Sequence, residues 1–273
     1  MDETAEFDEQ FNLRKRHPIA RLHLLKNVVQ SHFVQRIQKC QLDVSYGDSS
    51  GQMVDIFPAM KAGSPVFMFI HGGYFRALDK RQYRYIAQPL VKLGYTVVLV
   101  NYDLAPLVKV SDINRQVLKS FQWIKDNIRQ WNGDPDRLVL CGHSVGAFLA
   151  AKILEEDWPE GSGIKKAVLL SGLYDLGPMK RSFLNRDLHL SDADVSSLNA
   201  RPELLKGPVE ILVAVGSEET EEFVSQSRRY SQELESSGFH NDLWVLPGLN
   251  HYTVSRLLSY QRSPVLKWMH RRN

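Results

Sequence analysis

Ser144 stands between Gly142 and Gly146 in "CGHSVGAF", directly after the apolar run "RLVL" and directly before "AFLAAKIL". A serine on a sharp turn from a buried strand into a helix exposes its hydroxyl at the top of a sheet, and flanking glycines let backbone pass where a side chain would clash. The match alone is a weak signal, and a small polar residue at a strand-to-helix turn is the plain alternative. The hydroxyl becomes a nucleophile only when a base takes its proton. Of the nine histidines, His251 in "PGLNHYTV" follows the last predicted strand, on a loop at the same carboxyl edge as the serine. His17, His23, His32, His189 and His270 fall outside strand-end loops, and His240 precedes the last strand at its opposite end. His143, the serine's neighbour, should point away from it and serve packing or orientation.

An acid must hold that imidazole in one tautomer, and in chain order it belongs between the serine and the histidine. "SEETEEF" ends a strand and offers Glu218, Glu219, Glu221 and Glu222, with Asp175 in "SGLYDL" as the outside candidate. Glu221 and Glu222 also suit a helix N-terminus, where negative charge is favourable. An oxyanion would need fixed amide donors. "FIHGGYF" supplies Gly72 and Gly73 after a buried strand, and Val145, which follows the serine, completes the set. Tyr74 and Phe75 are candidate walls for a substrate ring, with loop packing as the alternative. No His and Asp set has metal-ligand spacing, so neither metal nor cofactor is expected.

Those residues require strands that end together. From Pro65 onward apolar runs alternate with helical stretches: "PVFMFI" then 79–93, "YTVVLV" then 111–131, "RLVLC" then 144–156, and "KKAVLL". "GPVEILVAV", a helix over 221–237, the strand "NDLWVL" and a final helix after Tyr252 follow. Continuous apolar strands between helices predict a mostly parallel, doubly wound α/β sheet with helices on both faces. "CQLDVSYG" and "QMVDIFPA", separated by "DSSG", predict an antiparallel edge. Residues 172–207 are too long for an ordinary connection and predict an insertion with short helices, a partial lid. In the N-terminal helical segment, residues 1–40, the stretch 21–39 places Leu22, Leu25, Val28, Val29, Phe33 and Ile37 at mostly helical spacing, which predicts a helix packed on the body by that stripe.

Composition narrows the classes. With 43% apolar and 24% charged residues in a 273-residue chain, one globular α/β domain is expected. A formal charge of +3 argues against nucleic acid, and "RKRH" at 14–17 reads as a solvated charge run. No apolar run approaches the roughly 20 residues needed to cross a bilayer, and no membrane partner is expected. The acidic start lacks the pattern of a secretory signal, and two cysteines do not make a disulfide framework, so a reducing cytoplasm is the expected location. The expected partner is a small-molecule substrate, and the assembly state, a homodimer included, is left open.

With "HGGYF", "NYDLAP", "GHSVGAFLAAKI", "SGLYDL", "SEETEEF" and "NHYT" in this order, the chain from about residue 42 onward resembles the α/β-hydrolase-fold arylformamidases, also called kynurenine formamidases. The glycine-x-serine-x-glycine turn is shared with the superfamily, whereas "HGGYF" with "NYDLAP" and "SGLYDL" is narrower. The resemblance implies hydrolysis of N-formyl-L-kynurenine to kynurenine and formate without a metal, with Ser144 as nucleophile, His251 as base, and Gly72, Gly73 and Val145 as oxyanion donors. Where relatives typically read Asp-Ser-Pro-Glu-Phe, this chain reads "ETEEF" from Glu219, which puts a glutamate at the acid position. A general carboxylesterase of the same fold is the first rival reading, and a hydrolase-fold binding protein without catalysis is the second.

Overall fold

The computed structural model describes residues 3–271. The chain opens with three helices, α1 (Glu3–Phe11), α2 (Leu13–Arg16) and α3 (Ala20–Ile37), and then enters the sheet through β1 (Gln41–Ser45), β2 (Met53–Phe57) and β3 (Ser64–Ile70). A 3-10 segment, Lys80–Ile86, runs into α4 (Ala87–Lys92) ahead of β4 (Thr96–Val100), α5 (Val110–Asn127) and β5 (Gly133–His143). Then come α6 (Val145–Glu155), β6 (Ile164–Leu170), α7 (Gly177–Lys180), α8 (Asn185–Leu188) and α9 (Asp192–Leu198). The chain ends with β7 (Glu210–Gly216), α10 (Glu221–Ser236), β8 (Asn241–Leu246), a 3-10 turn at Val254–Ser259 and α11 (Pro264–Met269).

Eight strands form one sheet in the order β1-β2-β4-β3-β5-β6-β7-β8, antiparallel at β1-β2 and β2-β4 and parallel elsewhere. Both faces are buried because both sets of alternating side chains are apolar. Met68 and Ile70 lie in one cluster with Val98, Val100, Leu138 and Leu140, under α5, α6 and α10. Phe67 and Phe69 lie in the other with Val97, Leu99, Val139 and Cys141, under α4 and α11. The central strands therefore read as continuous apolar runs rather than alternating ones, while the edge strand β1 alternates.

Three departures from the sequence pattern have local causes. The expected helix over 79–93 is 3-10 for its first half, since Pro89 has no N–H to bond back to Tyr85, and α-geometry starts only at Ala87. The expected last helix is two pieces, because Pro264 begins a new one capped by Ser263, whose hydroxyl accepts from the Leu266 amide at 3.1 Å. The third concerns α3. It forms where expected, but the stripe predicted to pack on the body faces solvent: Leu22, Val29 and Phe33 are 64%, 60% and 58% exposed, and Leu25, Val28 and Ile37 are exposed with them. Ala20, Asn27, Ser31 and Val34 are the buried side. The body presents the buried Arg84 and the half-buried Arg256 to this helix, and cations drawn out of water must be hydrogen-bonded. Gln35 accepts from Arg84, Asn27 and Gln30 accept from Arg256 at 2.7 and 3.0 Å, and Ser31 accepts from the Tyr85 amide at 3.1 Å. The polar face of the helix, not its apolar face, meets that demand. Among the described residues no helix is long and apolar enough to cross a membrane.

Candidate active site

The turn from β5 into α6 places Ser144 at φ 60°, ψ −129°, a conformation that L-residues rarely hold, with its amide donating to the Leu170 carbonyl at 2.8 Å. The turn is this tight only because Gly146 lacks a side chain: a Cβ there would come 2.1 Å from the Ile70 carbonyl oxygen. The loop after β3 lies directly against the serine. A Cβ on Gly72 would stand 2.7 Å from Ser144 Cβ and 3.4 Å from its Oγ. Bare backbone of the "HGGYF" loop is thus the serine's neighbour, and Val145 opens the helix beside it.

The loop after β8 brings His251 to the same place. Its Nδ1 meets a carboxylate oxygen of Glu219 at 2.7 Å, and both side chains are buried. The other Glu219 oxygen accepts from Ser171 Oγ at 2.5 Å and from the Gly216 amide at 2.8 Å, so the carboxylate is satisfied as an anion without solvent. Because Nδ1–H is committed to Glu219, the second ring nitrogen is left as an acceptor. Phe223 packs its ring 4.4 Å from the imidazole. No hydrogen bond joins the Ser144 hydroxyl to the His251 ring among the described residues, and such contacts are often long before substrate tightens them.

The five acids named from sequence separate cleanly. Glu219 alone touches His251. Glu218 is exposed, Glu221 and Glu222 begin α10, and Asp175 accepts from the Gly177 amide and Asn199 Nδ2, both at 2.9 Å, which ties the insertion to the sheet edge. His143 donates from Nε2 to the His251 carbonyl at 3.0 Å while its Nδ1 is buried without a partner. Burial, reinforced by the neighbouring His251, pushes the His143 pKa well below the ordinary imidazole value.

Ser144, His143 and His251 line a cavity of about 550 Å³, a size suited to a small organic ligand. Tyr74 and Gly73 line it as well, and the Tyr74 hydroxyl donates to the Phe11 carbonyl at 3.2 Å. Phe75 corrects its expectation: it is wholly buried, edge-on to Phe148 at 5.7 Å, and belongs to the core rather than to the cavity wall. Phe183 and Arg186 of the insertion line the cavity.

Sequence reading overlooked the N-terminal residues. Asp8, Phe11, Asn12, Leu13 and Arg14 all line the cavity, and Asp8 accepts from the Phe183 amide at 2.5 Å, joining α1 to the insertion. Arg16 donates to the Glu218 and Glu219 carbonyls at 3.4 and 3.3 Å, bracing the acid's loop. Phe7 and Phe11, four apart in "EFDEQF", were the available hint of a buried helix face.

Comparison with known proteins agrees with this fold. The family model of the α/β hydrolase fold matches residues 67–255. Kynurenine formamidase of Salmo salar is 34% identical over 224 residues, spanning 78% of this chain and 75% of that protein. Kynurenine formamidase of Danio rerio is 32% identical over 224 residues, with the same coverage, 78% and 75%. A solved structure from Silicibacter sp. TM1040 superposes with a TM-score of 0.85 at 24% identity, covering 96% of this chain and 98% of that one, and testifies to the fold.

Proposed function

This chain belongs to the α/β hydrolase fold family and, within it, to the kynurenine formamidases, and on that premise we propose that it releases formate from N-formyl-L-kynurenine with Ser144 as nucleophile, His251 as base and Glu219 as orienting acid. The observation that carries the assignment is the buried Glu219 carboxylate on His251 Nδ1, in a cavity shared with a serine on a strained turn. As Ser144 Oγ bonds to the formyl carbon, its proton passes to His251 Nε2, and the oxyanion is met by the amides of Gly72, Gly73 and Val145. His251 then protonates the aryl nitrogen, the C–N bond breaks, and kynurenine leaves a formyl-serine. Water, deprotonated by the same imidazole, adds to that ester, and formate departs with Ser144 reprotonated.

Tyr74, Phe11, Phe183 and Tyr252 supply apolar walls for the anilide ring. Arg14 and Arg186, the cations of the lining apart from the Arg76 paired with Asp187, suit the substrate's carboxylate.

Ser144→Ala should lower kcat on N-formylkynurenine by roughly 10⁶ while circular dichroism and the thermal midpoint stay near wild type. A loss under tenfold would remove Ser144 from the role. A general esterase is separated by substrate: cleavage of a short aryl ester with no release of formate from the formamide would replace this reading with that one.

A further inference from the structure

The outward face of α3 carries the largest run of exposed apolar side chains among the described residues: Ile19 just before it, then Leu22, Leu25, Val29, Phe33 and Ile37. At 1.5 Å per residue they form a stripe of about 25 Å along one side of the helix. An exposed apolar stripe of this length marks an interaction surface. Its surroundings select the partner. Residues 10–42 contain Arg14, Lys15, Arg16, Arg21, Lys26, Arg36 and Lys39 and not one Asp or Glu. Arg21, Lys26 and Arg36 are exposed on α3 itself, flanking or interrupting the stripe, where long aliphatic stems can lie along apolar surface while their charges reach outward.

We propose that α3 docks this protein reversibly on an anionic lipid surface, its apolar stripe in the headgroup boundary and its cations on the lipid phosphates and carboxylates. Basic flanks with Leu, Phe and Ile on the inserted side are the makeup of helices that lie in the membrane plane, and each surface cation adds attraction to acidic lipid. A second copy of this chain is the weaker occupant. An antiparallel two-fold pairing about Val29 would bring Arg21 of one copy beside Arg36 of the other, with no carboxylate between residues 10 and 42 to offset them. The inward face of α3 is held by hydrogen bonds to Arg84 and Arg256, so docking needs no rearrangement of the body. The expectation of no membrane partner rested on the lack of a bilayer-spanning run, which a helix lying in the membrane plane does not need.

The test is cosedimentation of the full chain with vesicles of phosphatidylcholine alone and of phosphatidylcholine mixed with phosphatidylserine. Binding to the mixed vesicles only, weakened by added salt, is expected. Leu22→Glu, Val29→Glu and Phe33→Glu together should lower the partition coefficient by about a hundredfold or more, with formate release from dissolved N-formylkynurenine unchanged. Lys26→Gln with Arg36→Gln, which leaves the apolar stripe intact, should lower it roughly tenfold on the mixed vesicles. Wild-type protein that stays in the supernatant with the mixed vesicles overturns the proposal, and so does binding that both variants retain. Sedimentation velocity supplies the rival outcome: a dimer that the triple variant turns into monomer, without lipid binding, assigns the face to a second copy.

Discussion

At the scale of single residues, burial and hydrogen bonds separate the glutamates of "SEETEEF". Four glutamates in five positions are interchangeable on paper, yet only Glu219 turns inward, where Ser171, the Gly216 amide and His251 take up its oxygens. Glu219→Gln keeps the size of the side chain but offers the imidazole an amide, which stabilises neither the required tautomer nor the charged ring. A drop in kcat of roughly 10⁴ is expected by analogy with the equivalent change in serine proteases, against less than about twofold for the exposed Glu218→Gln. Steady-state rates on N-formylkynurenine decide it, and equal effects would remove Glu219 from its role. Arg186→Gln should raise KM several-fold with kcat little changed, as loss of ground-state binding requires. A fall in kcat at constant KM would place the guanidinium elsewhere than on the substrate's carboxylate.

At the scale of elements, the β5–α6 turn depends on contacts that leave no room for a methyl group. Gly146→Ala would drive a Cβ to within 2.1 Å of the Ile70 carbonyl and 2.6 Å of that of His71, both backbone atoms at the end of β3 that cannot step aside. The expected cost is about 3 kcal/mol or more, read as a lowered denaturation midpoint with an unchanged denaturant slope. A neutral result would mean that β3 and α6 are not in this register. The elements themselves were legible because each parallel strand is apolar on both faces and each break is marked by Gly, Pro or Asn. The orientation of α3 was not. Periodicity predicts only that this helix has an apolar side, and here the buried Arg84 and the half-buried Arg256 demand the polar side.

At the scale of the molecule, a buried histidine that cannot easily take a proton couples stability to pH. His143 is held below its ordinary value of 6.5 by burial first and by the neighbouring His251 second. Between that lowered folded-state value and 6.5 the unfolded chain binds a proton that the folded one does not, so stability rises with pH across that window and is fully present above 6.5. The slope from one such group is about 1.4 kcal/mol per pH unit. Denaturant midpoints at successive pH values below 6.5 should show it, and His143→Phe should flatten the curve by that one proton; an unchanged slope would mean that His143 is protonated in the folded state. By itself the sequence determined the sheet, the strand-end turns and the types of group brought to the carboxyl edge, since local patterning and chain order are enough for those. Only the tertiary structure decided which glutamate meets His251, that Phe75 belongs to the core, that α1 and α2 wall the cavity, and that the apolar side of α3 faces outward. Each of these depends on which buried polar atoms find partners across tens or hundreds of residues, a condition that no short stretch of chain encodes.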